Sequence, residues 1–166
     1  DFLSDFTQTE IDESVDSAYT AEKFGSNHPA PLTLLQNGEK NMYLLELWHG
    51  PTCAFKDMAL QMLPHLLTAS LRKTGETRTA CILVATSGDT GKAALDGFHD
   101  VPGTKIMVYY PVDGVSPMQK LQMVTQEGRN VEVVAIRGNF DDAQSAVKRI
   151  FTDEDTRAAL DKDGMM

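Results

Sequence analysis

From position 80 onward the chain alternates short runs of Val, Ile and Leu with amphipathic stretches of about ten residues. The pattern predicts a strand at Ala80–Ala85, a helix over about Thr90–Phe98, a strand at Lys105–Tyr110, a helix over Pro117–Gln126, a strand at Val131–Ile136 and a helix from about Asp141 to Phe151. Strands buried on both faces read as continuous apolar runs, so this βαβ period predicts an α/β fold with a parallel sheet covered by helices on both faces. The punctuation agrees. Ser116-Pro117 is a cap followed by a first-turn proline, Gly128 reads as a helix stop, and Asp141 with Asp142 suit the positive end of a helix. Residues Asp153 to Asp163 predict one more helix.

Upstream the pattern is less regular. Thr9-x-x-Asp12 predicts a capped helix whose apolar stripe is Ile11, Val15 and Tyr19. Residues 25–42, with Gly25, Asn27, Pro29, Pro31 and an Asn37-Gly38 turn, read as a linker into a short strand at Tyr43–Leu47. From Lys56 to Lys73 apolar residues surround nearly the whole helical wheel, predicting one largely buried helix, kinked at Pro64 and stopped by Gly75. The expected organisation is an N-terminal helix and linker over 1–42 and an α/β unit over 43–166.

Composition narrows the function. The 166 residues are 42% hydrophobic and 23% charged, which suits one globular unit. Fifteen Lys and Arg against 24 Asp and Glu give a net charge of −9. An acidic chain gains no counterion release at a phosphate backbone, so nucleic acid is not an expected partner. No apolar run approaches the roughly 20 residues a bilayer needs, and the first ten residues are acidic rather than a basic leader, so the expectation is no membrane and no targeting segment. Cys53 and Cys81 form neither a CxxC pair nor a disulfide scaffold, which fits a reducing cytoplasm. His28, His49, His65 and His99 show no metal-ligand spacing, so no metal is expected.

Two segments carry candidate chemistry. After the strand ending at Ala85 comes Thr86-Ser87-Gly88-Asp89-Thr90-Gly91-Lys92. Small residues there let backbone N–H groups approach an anion, and a helix starting near Thr90 points its positive end at the same spot; the plainer reading is a turn with Ser87 or Asp89 as helix cap. Aligned on Gly91-Lys92, a phosphate loop of the form GxxxxGK[ST] fails at Thr86 and at Ala93, which has no hydroxyl for magnesium. The second segment is His49-Gly50-Pro51-Thr52-Cys53-Ala54-Phe55-Lys56-Asp57. A lysine heading a buried helix meets desolvation and the positive dipole end, both of which favour the neutral, nucleophilic amine; the alternative is an exposed lysine paired with Asp57. Cys53 beside Ala54 and Phe55 reads as a small core residue rather than a thiol nucleophile served by His49.

Together, His49-Gly50-Pro51-Thr52 through Ala54-Phe55-Lys56-Asp57 and Ala85-Thr86-Ser87-Gly88-Asp89-Thr90-Gly91 resemble the threonine synthase family, pyridoxal-phosphate enzymes of the tryptophan-synthase-β-like fold (fold type II). The likeness extends to Tyr43–Leu47, to Tyr110-Pro111, to Ser116-Pro117-Met118-Gln119-Lys120 and to Gly138–Asp142, and it is nearest the fungal and enteric branch. The resemblance implies a phosphorylated amino acid as ligand: O-phospho-L-homoserine and water give L-threonine and phosphate. It implies that Lys56 holds pyridoxal phosphate as a Schiff base and then shuttles protons, that Ser87, Gly88, Asp89 and Thr90 hold the substrate carboxylate, and that Asp89 also lies near the cofactor's phenolic oxygen; because a carboxylate and a phenolate would repel, that pair is expected to share a proton. Lys120 is a candidate for the substrate phosphate in the complete enzyme, the plainer reading being a surface helical lysine. Cys53 stands where the family often has Leu. Family members are more than twice this length, and the groups that grip the cofactor phosphate and face its pyridine nitrogen are expected beyond Met166, so this stretch alone is expected neither to retain the cofactor nor to make threonine. The rivals are another enzyme of the same cofactor fold, such as a serine or threonine dehydratase, and a non-catalytic threonine-synthase-like protein.

Overall fold

The computed structural model describes residues 3–37 and 40–166, so Gly38 of the expected Asn37-Gly38 turn lies outside the described residues. Helix α1 (Gln8–Ala18) starts from Thr7 rather than Thr9. A capping box needs Glu or Gln three residues after the cap; Glu10 answers Thr7, its carboxylate accepting the Thr7 N–H at 2.7 Å while Thr7 Oγ1 accepts from the Glu10 N–H at 3.2 Å. The buried face of α1 is Ser14 and Ala18, one position away from the expected stripe, and Val15 is exposed. Ser14 tolerates burial because its hydroxyl donates to the Glu10 carbonyl at 2.7 Å. After α2 (Ala21–Phe24), strands β1 (Leu32–Asn37) and β2 (Lys40–Leu45) pair antiparallel, with Leu32 opposite Leu45 and Leu34 opposite Tyr43. The expected linker therefore contains a strand, and the strand expected at Tyr43–Leu47 lies three residues earlier at its start and two at its end. Pro29 and Pro31 hid the Leu32–Leu35 run. Leu32 is 65% and Tyr43 61% exposed, and Leu35 and Met42 on the other face are exposed too.

The single helix expected over Lys56–Lys73 is two: α3 (Asp57–Leu60) and α4 (Leu63–Thr74), with the break before Pro64 rather than a kink at it. Pro64 offers no N–H to the Leu60 carbonyl, and that carbonyl abuts Gly97, where a Cβ would lie 2.1 Å from its oxygen. Pro64 then sits in the first turn of α4, where no donor is needed. Gly75 ends α4 in the left-handed region at φ 69°. The expected deep burial is not met: of α4 only Pro64 and Ala69 are buried, and Leu63 is exposed.

Lys73 of α4 reaches Glu10 of α1 at 2.9 Å. The Lys73 ammonium, then the Thr7 N–H and hydroxyl, hold the Glu10 carboxyl at about 2. A depressed carboxyl contributes stability that is present above its unfolded value of 4.5 and lost as pH falls through about 2. At low salt, Glu10→Gln is expected to flatten the fall in thermal unfolding temperature between those pH values; an unchanged slope would show that this exposed pair contributes nothing.

The second half forms a parallel sheet in the order β3 (Ala80–Ala85), β4 (Thr104–Pro111), β5 (Val131–Ile136), with Val84 opposite Val108 and Val108 opposite Val133. Between the strands run α5 (Asp89–Phe98) and α6 (Pro117–Val124), which touch each other; right-handed crossovers in one direction set both on one face. There Leu95 and Phe98 of α5 and Met123 of α6 pack on Ile106, Val108 and Tyr110, every second residue of β4. Helix α7 (Phe140–Thr152) covers β3 and β4 from the other side with Ala143 and Val147 buried. Helix α6 ends before the expected Gly128 stop: the Thr125 hydroxyl takes the Leu121 carbonyl at 2.7 Å and closes the last turn. After α8 (Glu154–Lys162), residues 164–166 run along the free edge of β3, with the Cys81 N–H donating to the Met166 carbonyl at 2.9 Å. The architecture is the α/β fold that the period predicts. Among the described residues no helix is long and apolar enough to cross a membrane.

Candidate active site

The turn between β2 and α3 is fixed from inside. Asp57 is 1% exposed; its carboxylate accepts the Thr52 N–H at 2.8 Å and the Thr52 hydroxyl at 2.6 Å. Burial pushes the Asp57 carboxyl up, against the pull of the two Thr52 bonds. Gly50 is required because a Cβ there would lie 2.4 Å from Asp57 Oδ2. Asp57 is therefore committed inward, and the expected Lys56–Asp57 pair does not form. Lys56 is the half-buried residue preceding α3, with its ammonium 4.7 Å from the centre of the Phe55 ring and no carboxylate partner among the described residues. Helix α3 is a single turn, so the dipole and apolar collar expected around Lys56 are smaller than the sequence implied.

Cys53 departs from its expectation: it is exposed, in the left-handed region at φ 60°, not a core residue. His49 Nε2 is held by Glu46 at 2.6 Å and its ring stacks on Trp48 at 5.5 Å, so it does not serve Cys53. Thr33 and His49 hold the Glu46 carboxyl below its usual range.

At the end of β3 the loop is organised by Thr86, which no spacing in the sequence singles out. Thr86 is 2% exposed, and its hydroxyl oxygen accepts the N–H groups of Gly88 at 3.0 Å and Gly91 at 2.9 Å. Helix α5 starts at Asp89, one residue before the expected Thr90, and neither Ser87 nor Asp89 caps it: the cap is Gly88, with no side-chain bond. Two loop amides are thus consumed inside the protein. Those of Ser87, Asp89 and Thr90 meet no acceptor among the described residues, which leaves an anion-accepting face at the positive end of a ten-residue helix. Lys92 is turned away toward Gln126 and, at 3.9 Å, Asp96. It does not cradle a phosphate at this loop.

The start of α6 closes over the loop. Gln119 completes the capping box with Ser116, its Oε1 accepting the Ser116 N–H at 3.1 Å, while its Nε2 donates to Asp89 Oδ1 at 2.8 Å. Gly88 has φ 150°, and a Cβ there would lie 2.4 Å from the Gln119 amide. The Ser-x-x-Gln spacing signals the cap half of this arrangement; nothing in the spacing signals the Asp89 half. Lys120 follows on the exposed side of α6. Elements α3 and α5, which carry Lys56 and the loop, pack on each other, and Gln61 Nε2 donates to Asp96 at 2.7 Å across that contact. No hydrogen bond joins Lys56 to residues 87–90. A groove of ≈ 960 Å³ lies elsewhere, lined by Gln61, His65, Asp96 and Gly97 among others, and contains neither Lys56 nor the loop. The chemistry-bearing side chains lie outside that groove, so its size does not make it the site.

No protein-family model matches the chain. Over 131 residues, 79% of the chain, it is 46% identical to threonine synthase of Pseudomonas aeruginosa. Over 153 residues, 88% of the chain, it is 40% identical to threonine synthase of Eremothecium gossypii. The X-ray structure of PLP-bound threonine synthase from Brucella melitensis superposes with a TM-score of 0.81 at 37% identity over 99% of the chain. The chain is homologous to the threonine synthases. It shares their fold-type-II architecture. It spans 27% of the Pseudomonas relative, 30% of the Eremothecium relative and 34% of the Brucella chain. Human threonine synthase-like 1 is also similar, 37% identical over 92% of the chain and 20% of its own length.

Proposed function

We propose that the chain is the lysine-bearing part of a pyridoxal-phosphate-dependent threonine synthase, acting on O-phospho-L-homoserine and water to give L-threonine and phosphate in the cytoplasm. The observation that carries the reading is Lys56 with its neighbouring carboxylate turned inward to Thr52, next to an element whose loop has three unclaimed amides. The residues fit the group at its aldehyde end: a half-buried amine without an ion-pair partner among the described residues can condense with a carbonyl, which a salt-bridged ammonium resists. When bound, pyridoxal phosphate supplies an electron sink for charge developing at the substrate carbons.

The chain's own residues then divide the work. Lys56 Nζ would hold the cofactor, and its free amine would carry protons at the substrate carbons. The N–H groups of Ser87, Asp89 and Thr90 receive the substrate carboxylate; Gly88 contributes its missing side chain, because Thr86 already holds its N–H. The Asp89 carboxylate would serve the cofactor's phenolic oxygen, and Lys120 on α6 the substrate phosphate. In this reading residues 43–166 form the unit that carries lysine and loop, with 1–42 as its N-terminal helix and linker.

Borohydride reduction of the full-length protein loaded with pyridoxal phosphate, followed by peptide mapping, tests the reading. A pyridoxyl adduct on Lys56 is expected, and an adduct confined to other lysines would overturn it. A non-catalytic threonine-synthase-like protein is the second reading; the chain is also similar to human threonine synthase-like 1, whose name states no activity. It is distinguished by cofactor trapping without turnover of O-phospho-L-homoserine.

A further inference from the structure

The carboxylate of Asp89 stands where it ought to interfere. It belongs to the first residue of α5, beside the amides of Ser87, Asp89 and Thr90 that have no acceptor among the described residues. An aspartate at a helix start ordinarily satisfies such amides itself, and its charge there opposes an incoming anion. Here it does not satisfy them: α5 has no side-chain cap, and Asp89 Oδ1 instead accepts from Gln119 Nε2 at 2.8 Å. Gln119 is itself held, since its Oε1 takes the Ser116 N–H at 3.1 Å and its amide lies against the Cα of Gly88, where any side chain would collide.

We propose that Gln119 is a positioning residue that pins the Asp89 carboxylate to α6 and so keeps the loop amides open for the substrate carboxylate. The inference rests on the threonine synthase reading for the identity of the anion, but not for the pinning. It assigns to α6 a part in substrate recognition beyond its cap. It also gives Gly88 a reason to be glycine that is independent of phosphate cradling: the Gln119 amide occupies the space of a Cβ. Without the pin, Asp89 folds back on the amides of its own helix start and competes with the ligand.

Amide hydrogen exchange on the full chain, with Gln119→Met to remove the amide at similar length, separates pinning from a merely structural role by sign. If Gln119 only supported the loop, exchange at Ser87, Asp89 and Thr90 would speed up. If it pins Asp89, self-capping slows exchange at these amides by about fivefold, the equivalent of one hydrogen bond of ~1 kcal/mol. In Gln119→Met/Asp89→Ala the rate returns to that of Asp89→Ala alone. Ser116→Ala, which breaks the cap but leaves the Asp89 bond, leaves the three amides within about twofold of wild type. Unchanged or faster exchange in Gln119→Met would overturn the proposal, as would a double variant that stays slow.

The second arm titrates O-phospho-L-homoserine into the cofactor-loaded protein and follows the same three amides. The apparent affinity is expected to fall about fivefold in Gln119→Met and to recover in Gln119→Met/Asp89→Ala to that of Asp89→Ala. Equal affinity for wild type and Gln119→Met would overturn the role in recognition. If wild type itself does not bind O-phospho-L-homoserine, the threonine synthase reading fails, while the exchange arm still decides the pinning.

Discussion

Replacing Lys56 by Ala in the full-length, cofactor-loaded protein is expected to lower kcat/KM for threonine formation by at least about 10³, with the loss in kcat. The size follows from the double role of one amine, which both fixes the cofactor and moves protons at the substrate, and no second lysine lies in the turn from His49 to Asp57. Lys56→Arg separates chemistry from charge. It keeps a cation at that position but cannot give up a proton or condense with an aldehyde, so it is expected to be as inactive as Ala. Arg activity within about tenfold of wild type would mean that Lys56 acts through its charge alone and would remove the nucleophilic role. A Lys56→Ala protein that still turned over at the wild-type rate would remove the functional reading altogether.

How much of this was legible in the chain differs by segment, for physical reasons. The β3–α5–β4–α6–β5–α7 alternation was readable because strands of a helix-covered parallel sheet are rich in Val, Ile and Leu; Val131–Ile136 matches to the residue although Glu132 and Ala135 are exposed. The first half was less readable because its structure is set by contacts distant in sequence. The break between α3 and α4 combines Pro64, which alone suggests a kink, with the Leu60 carbonyl lying against Gly97, which periodicity cannot reveal. The register of α1 was one position off because a satisfied serine can be buried in place of an apolar residue. At the candidate site, Lys56 and the loop were singled out by residue type, spacing and the family resemblance. Thr86 and Gln119 were not, because their roles are hydrogen bonds to Gly88, Gly91 and Asp89 that exist only once β3 and α6 are in place. The alternative role for Asp57 as a partner of Lys56 failed for the same reason: the competitor, Thr52, becomes visible only when the turn closes.

That closure yields the second large effect. Gly50→Ala is expected to destabilise the protein by about 1–3 kcal/mol, a fall in unfolding temperature of about 3–10 °C, because the added Cβ meets Asp57 Oδ2 at 2.4 Å, Cβ at 2.5 Å and Cγ at 2.8 Å. Asp57 cannot retreat, since it is buried and holds both Thr52 donors. Asp57→Ala is expected to cost about 2–4 kcal/mol by leaving the Thr52 N–H and hydroxyl buried without an acceptor. Combining the two should not relieve the crowding, because the Cβ that Ala retains is itself one of the atoms that Gly50→Ala would strike. The double variant is therefore expected to be less stable than either single one in chemical denaturation; a double variant as stable as Asp57→Ala would show that the turn shifts freely. Since this turn delivers Lys56 to the head of α3, the yield of pyridoxyl adduct on Lys56 should fall in each variant even at temperatures where most molecules remain folded. An undiminished yield would separate the position of the amine from the Gly50–Asp57–Thr52 lock.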